Sequence, residues 1–140
     1  MPELNLVFPD LSHEKAWIEI IKEFKENGER PKPYGLHLRF GADDFKGFIE
    51  RTKLNHIGAD LENDKNKVQA TTYFLLKDDS PEILGAIQIR RYLNDRLKDA
   101  DGHIGYGVRP SRRNMGLATK MLQLALVKCK ELNINQVLVT

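Results

Sequence analysis

An α/β domain, built on a mixed and mainly antiparallel sheet with helices on its flanks, is the fold this sequence predicts. Short runs of β-branched and aromatic residues alternate with segments whose apolar residues recur at helical spacing, in the order β-α-α-β-β-β-α-β. Turn chemistry between two strand runs, Lys77-Asp78-Asp79-Ser80-Pro81-Glu82, predicts an antiparallel hairpin. The 140 residues suit one domain spanning 1–140, and 41% hydrophobic with 30% charged residues is an ordinary globular balance.

The elements follow in order. Residues 4–8 form an apolar-rich strand closed by Pro9 and Asp10. Ser12 is placed to N-cap a helix with Glu14 in its first turn; Ala16, Trp17, Ile20, Ile21 and Phe24 make its apolar face, and Asn27-Gly28 stops it. The stretch 28–41, with Pro31 and Pro33, is a connector facing the substrate. Asp43 or Asp44 caps a second helix reaching about Leu54, with Phe45, Phe48 and Ile49 inward, and 56–67 reads as a loop. Residues 68–76 and 83–92 are the two hairpin strands, 93–102 is a charged connection, and 103–109 is a third strand. A strong helix follows over 117–132, with Ala118, Leu122, Ala125, Leu126 and Cys129 on its inward stripe. A last strand starts at 136–140, parallel to its neighbour because a helix connects them.

Bulk properties narrow the function. A net charge of +2, from 22 basic and 20 acidic residues, is too even to point to nucleic acid. The local cluster Arg109, Arg112, Arg113 and Lys120 matters more, although no aromatic residues interleave with it as a nucleic-acid surface would require. One cysteine, Cys129, forms no internal disulfide and fits a reducing, cytoplasmic setting. Residues 1–10 do not read as a signal peptide, and no stretch approaches the roughly 20 apolar residues of a membrane span. His13, His37 and His56 have no metal-ligand spacing, so no metal is expected. No nucleophile elbow or Ser-His-Asp order is visible, and Cys129, on an inward helix stripe, belongs to the core.

The chemistry concentrates in Val108-Arg109-Pro110-Ser111-Arg112-Arg113-Asn114-Met115-Gly116-Leu117-Ala118. A strand ends, a short loop turns, and a long helix begins. The first N–H groups of a helix lack internal acceptors and sit at the positive end of its dipole, so a phosphate there satisfies both. Gly116 lets an anion approach the backbone with no Cβ in the way, Ala118 is small, and Arg112, Arg113 and Lys120 add charge. An Arg-x-x-Gly-x-Ala match alone is no more than a capped turn. Its place between a strand and an amphipathic helix favours the phosphate reading.

This stretch resembles the acetyl-CoA signature of the GNAT N-acetyltransferase superfamily. The upstream runs Ile87-Gln88-Ile89-Arg90-Arg91-Tyr92-Leu93-Asn94 and Gly102-His103-Ile104-Gly105-Tyr106-Gly107 are similar to a bacterial branch of predicted acetyltransferases. The resemblance implies a direct transfer of an acetyl group from acetyl-CoA to a primary amine, on a small molecule or a peptide. It implies that the amides of residues 113–118 hold the pyrophosphate and that the strand through Tyr106 and Val108 splays from the next one. The pantetheine arm then pairs with main chain near Val108, and the amide of Tyr106 meets the thioester carbonyl. The cofactor set so implied is Tyr106, Val108, Arg109, Arg112, Arg113, Asn114, Met115, Gly116, Leu117, Ala118 and Thr119. Family members continue past a strand like 136–140 with a helix and two more strands, which often supply the acid for the leaving thiolate. The chain is therefore expected to be truncated, and its open sheet edge invites pairing, possible as a homodimer.

Candidates for the rest of the site are fewer. An amine must arrive neutral, which calls for a base. His103 has a suitable ordinary pKa and is equally well explained as a histidine bonded within the sheet. Tyr106, three residues on, faces the opposite side of a strand unless a bulge intervenes. Asp101 is a further position, and Arg90, Arg91, Tyr92 and Asn94 could line the acceptor pocket. A non-catalytic acyl-CoA-binding or regulatory module on the same fold is the alternative reading, since fold alone does not decide function.

Overall fold

Strand β1 (Leu4–Val7) leads into a 3-10 turn (Leu11–His13) and helix α1 (Glu14–Glu26). Helix α2 (Phe45–Ile57), strands β2 (Ala70–Lys77), β3 (Gly85–Arg90) and β4 (Ile104–Val108), a second 3-10 turn (Pro110–Arg112) and helix α3 (Leu117–Glu131) follow. The computed structural model describes residues 3–33, 36–37, 45–58, 69–91 and 104–132. The caps expected at Asp43 and Asp44, and the parallel strand at 136–140, lie outside them.

The α/β class is as expected. The four described strands form one sheet in the order β1-β2-β3-β4, every pair antiparallel. The β2–β3 hairpin registers Ala70 with Arg90 and Leu75 with Gly85, and turns through Asp79, whose φ of 64° is left-handed. Asp tolerates that conformation better than most residues.

Three expectations need correction. The cap of the first helical segment is Asp10, not Ser12: its carboxylate accepts the Ser12 amide at 2.8 Å and the Ser12 hydroxyl, while its own amide donates to His13 Nδ1 at 3.0 Å. A 3-10 turn ahead of α1 moves the cap two residues upstream. Second, α2 does not stop near Leu54. It continues through His56 to Ile57 and ends at Gly58, φ 75°, so His56 is helical rather than part of a loop. Third, Leu126 is 45% exposed, and Met121, with no exposure, takes its place in a buried row with Ala125 and Cys129. Spacing of four repeated twice keeps these three on one face.

The stop at the end of α1 is as expected and is a paired C-cap. Gly28, φ 72°, donates to Lys25 O at 3.0 Å, and Glu29 donates to Phe24 O at 3.0 Å. This fixes where Glu29 points, which matters below.

The sheet has two unlike faces. On one, α1 and α2 bury Trp17, Phe24, Phe45, Phe48 and Phe74, with Phe48 stacked on Phe74 at 5.8 Å and 11°. On the other, α3 covers Leu75, Ile87, Ile89, Ile104 and Val108. Burying one side chain of this size stabilises by about 1.5–3 kcal/mol, so the two layers are the source of most of the stability.

Candidate functional site

Strand β4 sets the geometry. The Arg109 amide donates to Leu84 O at 2.8 Å, and the register with β3 runs unbroken from Gly85↔Val108 to Ile89↔Ile104, with no bulge. Bonded and non-bonded pairs alternate along an antiparallel ladder. The single bond from the Arg109 amide to Leu84 O sets the phase of that alternation, so Ile87↔Tyr106 and Gly85↔Val108 are non-bonded pairs. The main-chain groups of Tyr106 and Val108 therefore point away from β3, to the other edge of β4. The Tyr106 side chain lies half-buried with the aliphatic layer under α3.

After β4 the chain turns sharply. Asn114 and Gly116 both have positive φ, 65° and 77°, and Gly116 is the N-cap of α3. Nothing lies within 4 Å of where a Cβ would stand on Gly116, so the backbone there is approachable. The first helical amide with a carbonyl partner is Lys120, on Gly116 O at 3.2 Å; no described carbonyl receives the amides of Asn114 through Thr119. Three of these six donors, Leu117 to Thr119, lie in the first turn of the 15-residue helix, at the positive end of its dipole. Asn114, Met115, Gly116, Thr119 and Lys120 are exposed, while Leu117 and Ala118 anchor the turn against the α3 core layer.

The arginines of this loop are already engaged. Arg109 Nε donates to Glu23 at 2.9 Å, and its Nη1 lies 3.0 Å from Glu82, an ionic contact without hydrogen-bond geometry. Arg112 forks onto Glu82 at 3.1 and 3.0 Å. Arg113 forks onto Glu29, both bonds 2.8 Å, and its Nε donates to Val108 O at 3.2 Å. Glu23 also accepts the Ser111 amide at 2.8 Å and the Ser111 hydroxyl at 2.9 Å. Three arginines thus meet three carboxylates, and the charge expected to face a phosphate is largely met within the protein. Arg113 and the neighbouring Asn27 amide hold the Glu29 carboxyl down at about 2. At Glu23 burial works the other way, but Ser111 and Arg109 together outweigh it and lower the pKa.

The connector after α1 reaches the same strand. A Cβ on Gly107 would stand 2.5 Å from Lys32 Cβ and 2.7 Å from Lys32 O, so only glycine permits this crossing of β4. Arg90 lies on the same face, buried, its guanidinium 3.0 Å from the Cβ position of Gly105. Tyr106 is on the opposite face, so these two side chains are not brought together. His103, Asp101, Tyr92 and Asn94 lie outside the described residues. Arg91 meets His56 at the far end of β3, where Nη2 is 3.4 Å from Nδ1, and Thr71 Oγ1 lies 2.7 Å from the same nitrogen. Burial first, and Arg91 second, lower the His56 pKa. A cavity of about 420 Å³ beside α1, lined by Trp17, Ile21, Lys25 and His37 among others, includes no residue of β4 or the loop.

Glu23, Glu29 and Glu82 were not among the expected site residues. They stand 27 to 88 positions from their loop partners, and a single glutamate on a helix or in a turn carries no signal of its own.

A four-stranded sheet flanked by helices, whose last described strand runs through a left-handed turn into a helix with unpartnered first amides, defines an α/β protein. The model of the acetyltransferase (GNAT) family matches residues 40–140, and the chain belongs to that family. Acyl transfer from an acyl-coenzyme A is the activity that membership brings. No curated protein and no solved structure matches the chain. Among the described residues, no helix is long and apolar enough to cross a membrane, and no three His, Cys, Asp or Glu side chains gather to hold a metal.

Proposed function

We propose that this protein transfers an acetyl group from acetyl-CoA to a primary amine, by direct attack within a ternary complex. The observation that carries the reading is the run of amides from Asn114 to Thr119, beginning six residues beyond Val108, whose strand turns the Tyr106 amide to its outer edge. The pyrophosphate sits on the loop amides, with Lys120 adding charge. The pantetheine arm follows β4 back from Val108, which brings the thioester carbonyl to the Tyr106 N–H.

The chemistry then needs little more. The amine nitrogen bonds to the thioester carbon, and the oxygen becomes an oxyanion held by the Tyr106 amide; one such donor is worth about 10²–10³ in rate. The intermediate collapses with loss of the coenzyme A thiolate, and the amine proton passes to a base. His103, just ahead of β4 in sequence, is our candidate for that base because its ordinary pKa suits the task. Holding both reactants together supplies much of the remaining acceleration. Arg90, Tyr92 and Asn94 are proposed for the acceptor side, and a cytoplasmic setting agrees with the free, buried Cys129.

Calorimetry with acetyl-CoA tests the cofactor half. Gly116→Glu puts a carboxylate among the free amides and should weaken binding by about a hundredfold. Gly116→Ala, which adds only the left-handed strain of about 1–2 kcal/mol, should weaken it far less. Absence of binding at millimolar acetyl-CoA would sink the reading. Thiol release across a panel of amines tests the transfer. Binding without release from any amine favours the non-catalytic module instead.

A further inference from the structure

Carboxylates are poor neighbours for a pyrophosphate. Coulomb repulsion between Glu23 or Glu29 and a bound polyphosphate should weaken binding, and the two also occupy the arginines that could otherwise reach the ligand. Yet both are held in place by structure rather than by accident. Glu23, half-buried on α1, grips the Ser111 amide and hydroxyl and Arg109 Nε, all within 2.8–2.9 Å. Glu29 is aimed by the Gly28 C-cap, and its fork to Arg113 ties the connector to a guanidinium that also holds Val108 O. One carboxylate fixes the first part of the 109–113 turn, at Arg109 and Ser111, and the other its end, at Arg113. The free amides begin at the next residue.

We propose that Glu23 and Glu29 are positioning residues for acyl-coenzyme A: they hold the 109–113 turn in the shape that aims the following amides, and this outweighs the repulsion of their own charge. The proposal rests on reading the loop as the pyrophosphate site. It has a sign that charge alone cannot produce. Removing a nearby negative charge should tighten an anion if electrostatics dominate and loosen it if pre-organisation dominates.

The test is calorimetric titration of coenzyme A into the whole chain and its variants Glu23→Gln, Glu29→Gln, Glu29→Asp and Glu26→Gln. Glu29→Asp keeps the charge but is too short to fork, and it guards against a glutamine variant that folds poorly. Glu26→Gln removes a charge from the same helix without touching the loop. The expected result is binding about tenfold weaker for the first three and unchanged or slightly tighter for Glu26→Gln. Without ligand, hydrogen exchange at Ser111 should quicken in Glu23→Gln, which a purely electrostatic role would not cause. Binding as tight as, or tighter than, the parent in Glu23→Gln and Glu29→Gln overturns the proposal while leaving the site intact. Failure of the parent chain to bind coenzyme A overturns the reading of the loop itself, and the proposal with it.

Discussion

Beneath α1 and α2 the sheet is covered by stacked rings, whereas the turn after β4 is held by four pairings of three arginines with three carboxylates. The ring layer buries large apolar area, and its attraction is strong and non-directional. The pairs at the turn are partly exposed, and such pairs typically contribute about 0–1 kcal/mol each. What they supply is direction, because a guanidinium fork donates to a carboxylate in one plane. Stability and shape thus come from different parts of the molecule, and changes in one should leave the other largely untouched.

The largest expected effect is on the ring side. Phe74 is fully buried, with Phe48 stacked on one face and the His13 ring edge-on at 5.4 Å. Phe74→Ala should cost about 3–5 kcal/mol in denaturant unfolding. Below the transition, the remaining folded protein should bind coenzyme A as before. A selective loss of affinity with little loss of stability would erase the contrast between the two regions.

A smaller effect is expected where the regions meet. Gly107→Ala drives a methyl group into the Lys32 backbone, which has no flexible end to swing aside. Overpacking of this kind costs about 1–3 kcal/mol. It should also push the connector off β4 and loosen the Glu29–Arg113 fork, so this one change should lower both stability and coenzyme A affinity. Stability within about 0.5 kcal/mol of the parent would mean that the crossing is not tightly packed.

How much of this was legible beforehand follows the same division. Periodicity identified the buried faces of α1 and α2, because Trp17, Phe24, Phe45 and Phe48 repeat at helical spacing and burial follows spacing. It misjudged α3, where Leu126 satisfies the pattern yet is turned outward while Met121 faces the core. Gly116 stood out as the glycine of the strand-to-helix turn because strand, turn and helix lie side by side in the chain, while its left-handed φ came from the structure. The carboxylates were not, since Glu23 and Ser111 become neighbours only when α1 packs beside the 3-10 turn, 88 residues away in sequence. Local chemistry is written locally, and the frame that aims it is written in the tertiary structure.

The smallest effect sharpens the comparison through pH. The His56 pKa is lowered in the folded protein, chiefly by burial and then by Arg91, from an ordinary value of 6.5. The unfolded chain therefore takes up a proton first as pH falls below about 6.5, and this draws the equilibrium toward unfolding. His56 contributes fully above that pH and loses its contribution as pH drops through the folded value. At the loop, Glu29 ordinarily titrates at 4.5 and is held at about 2, so its contribution persists to lower pH and fades only between those values. Thermal unfolding from pH 7.5 to 5.5 should thus show a decline that His56→Gln makes shallower. Glu29→Gln should leave that decline unchanged and alter the profile only below about pH 4.5. Equal slopes for His56→Gln and the parent would mean that His56 is solvated at the far end of β3. The contrast would then lie wholly between the ring layer and the arginine frame.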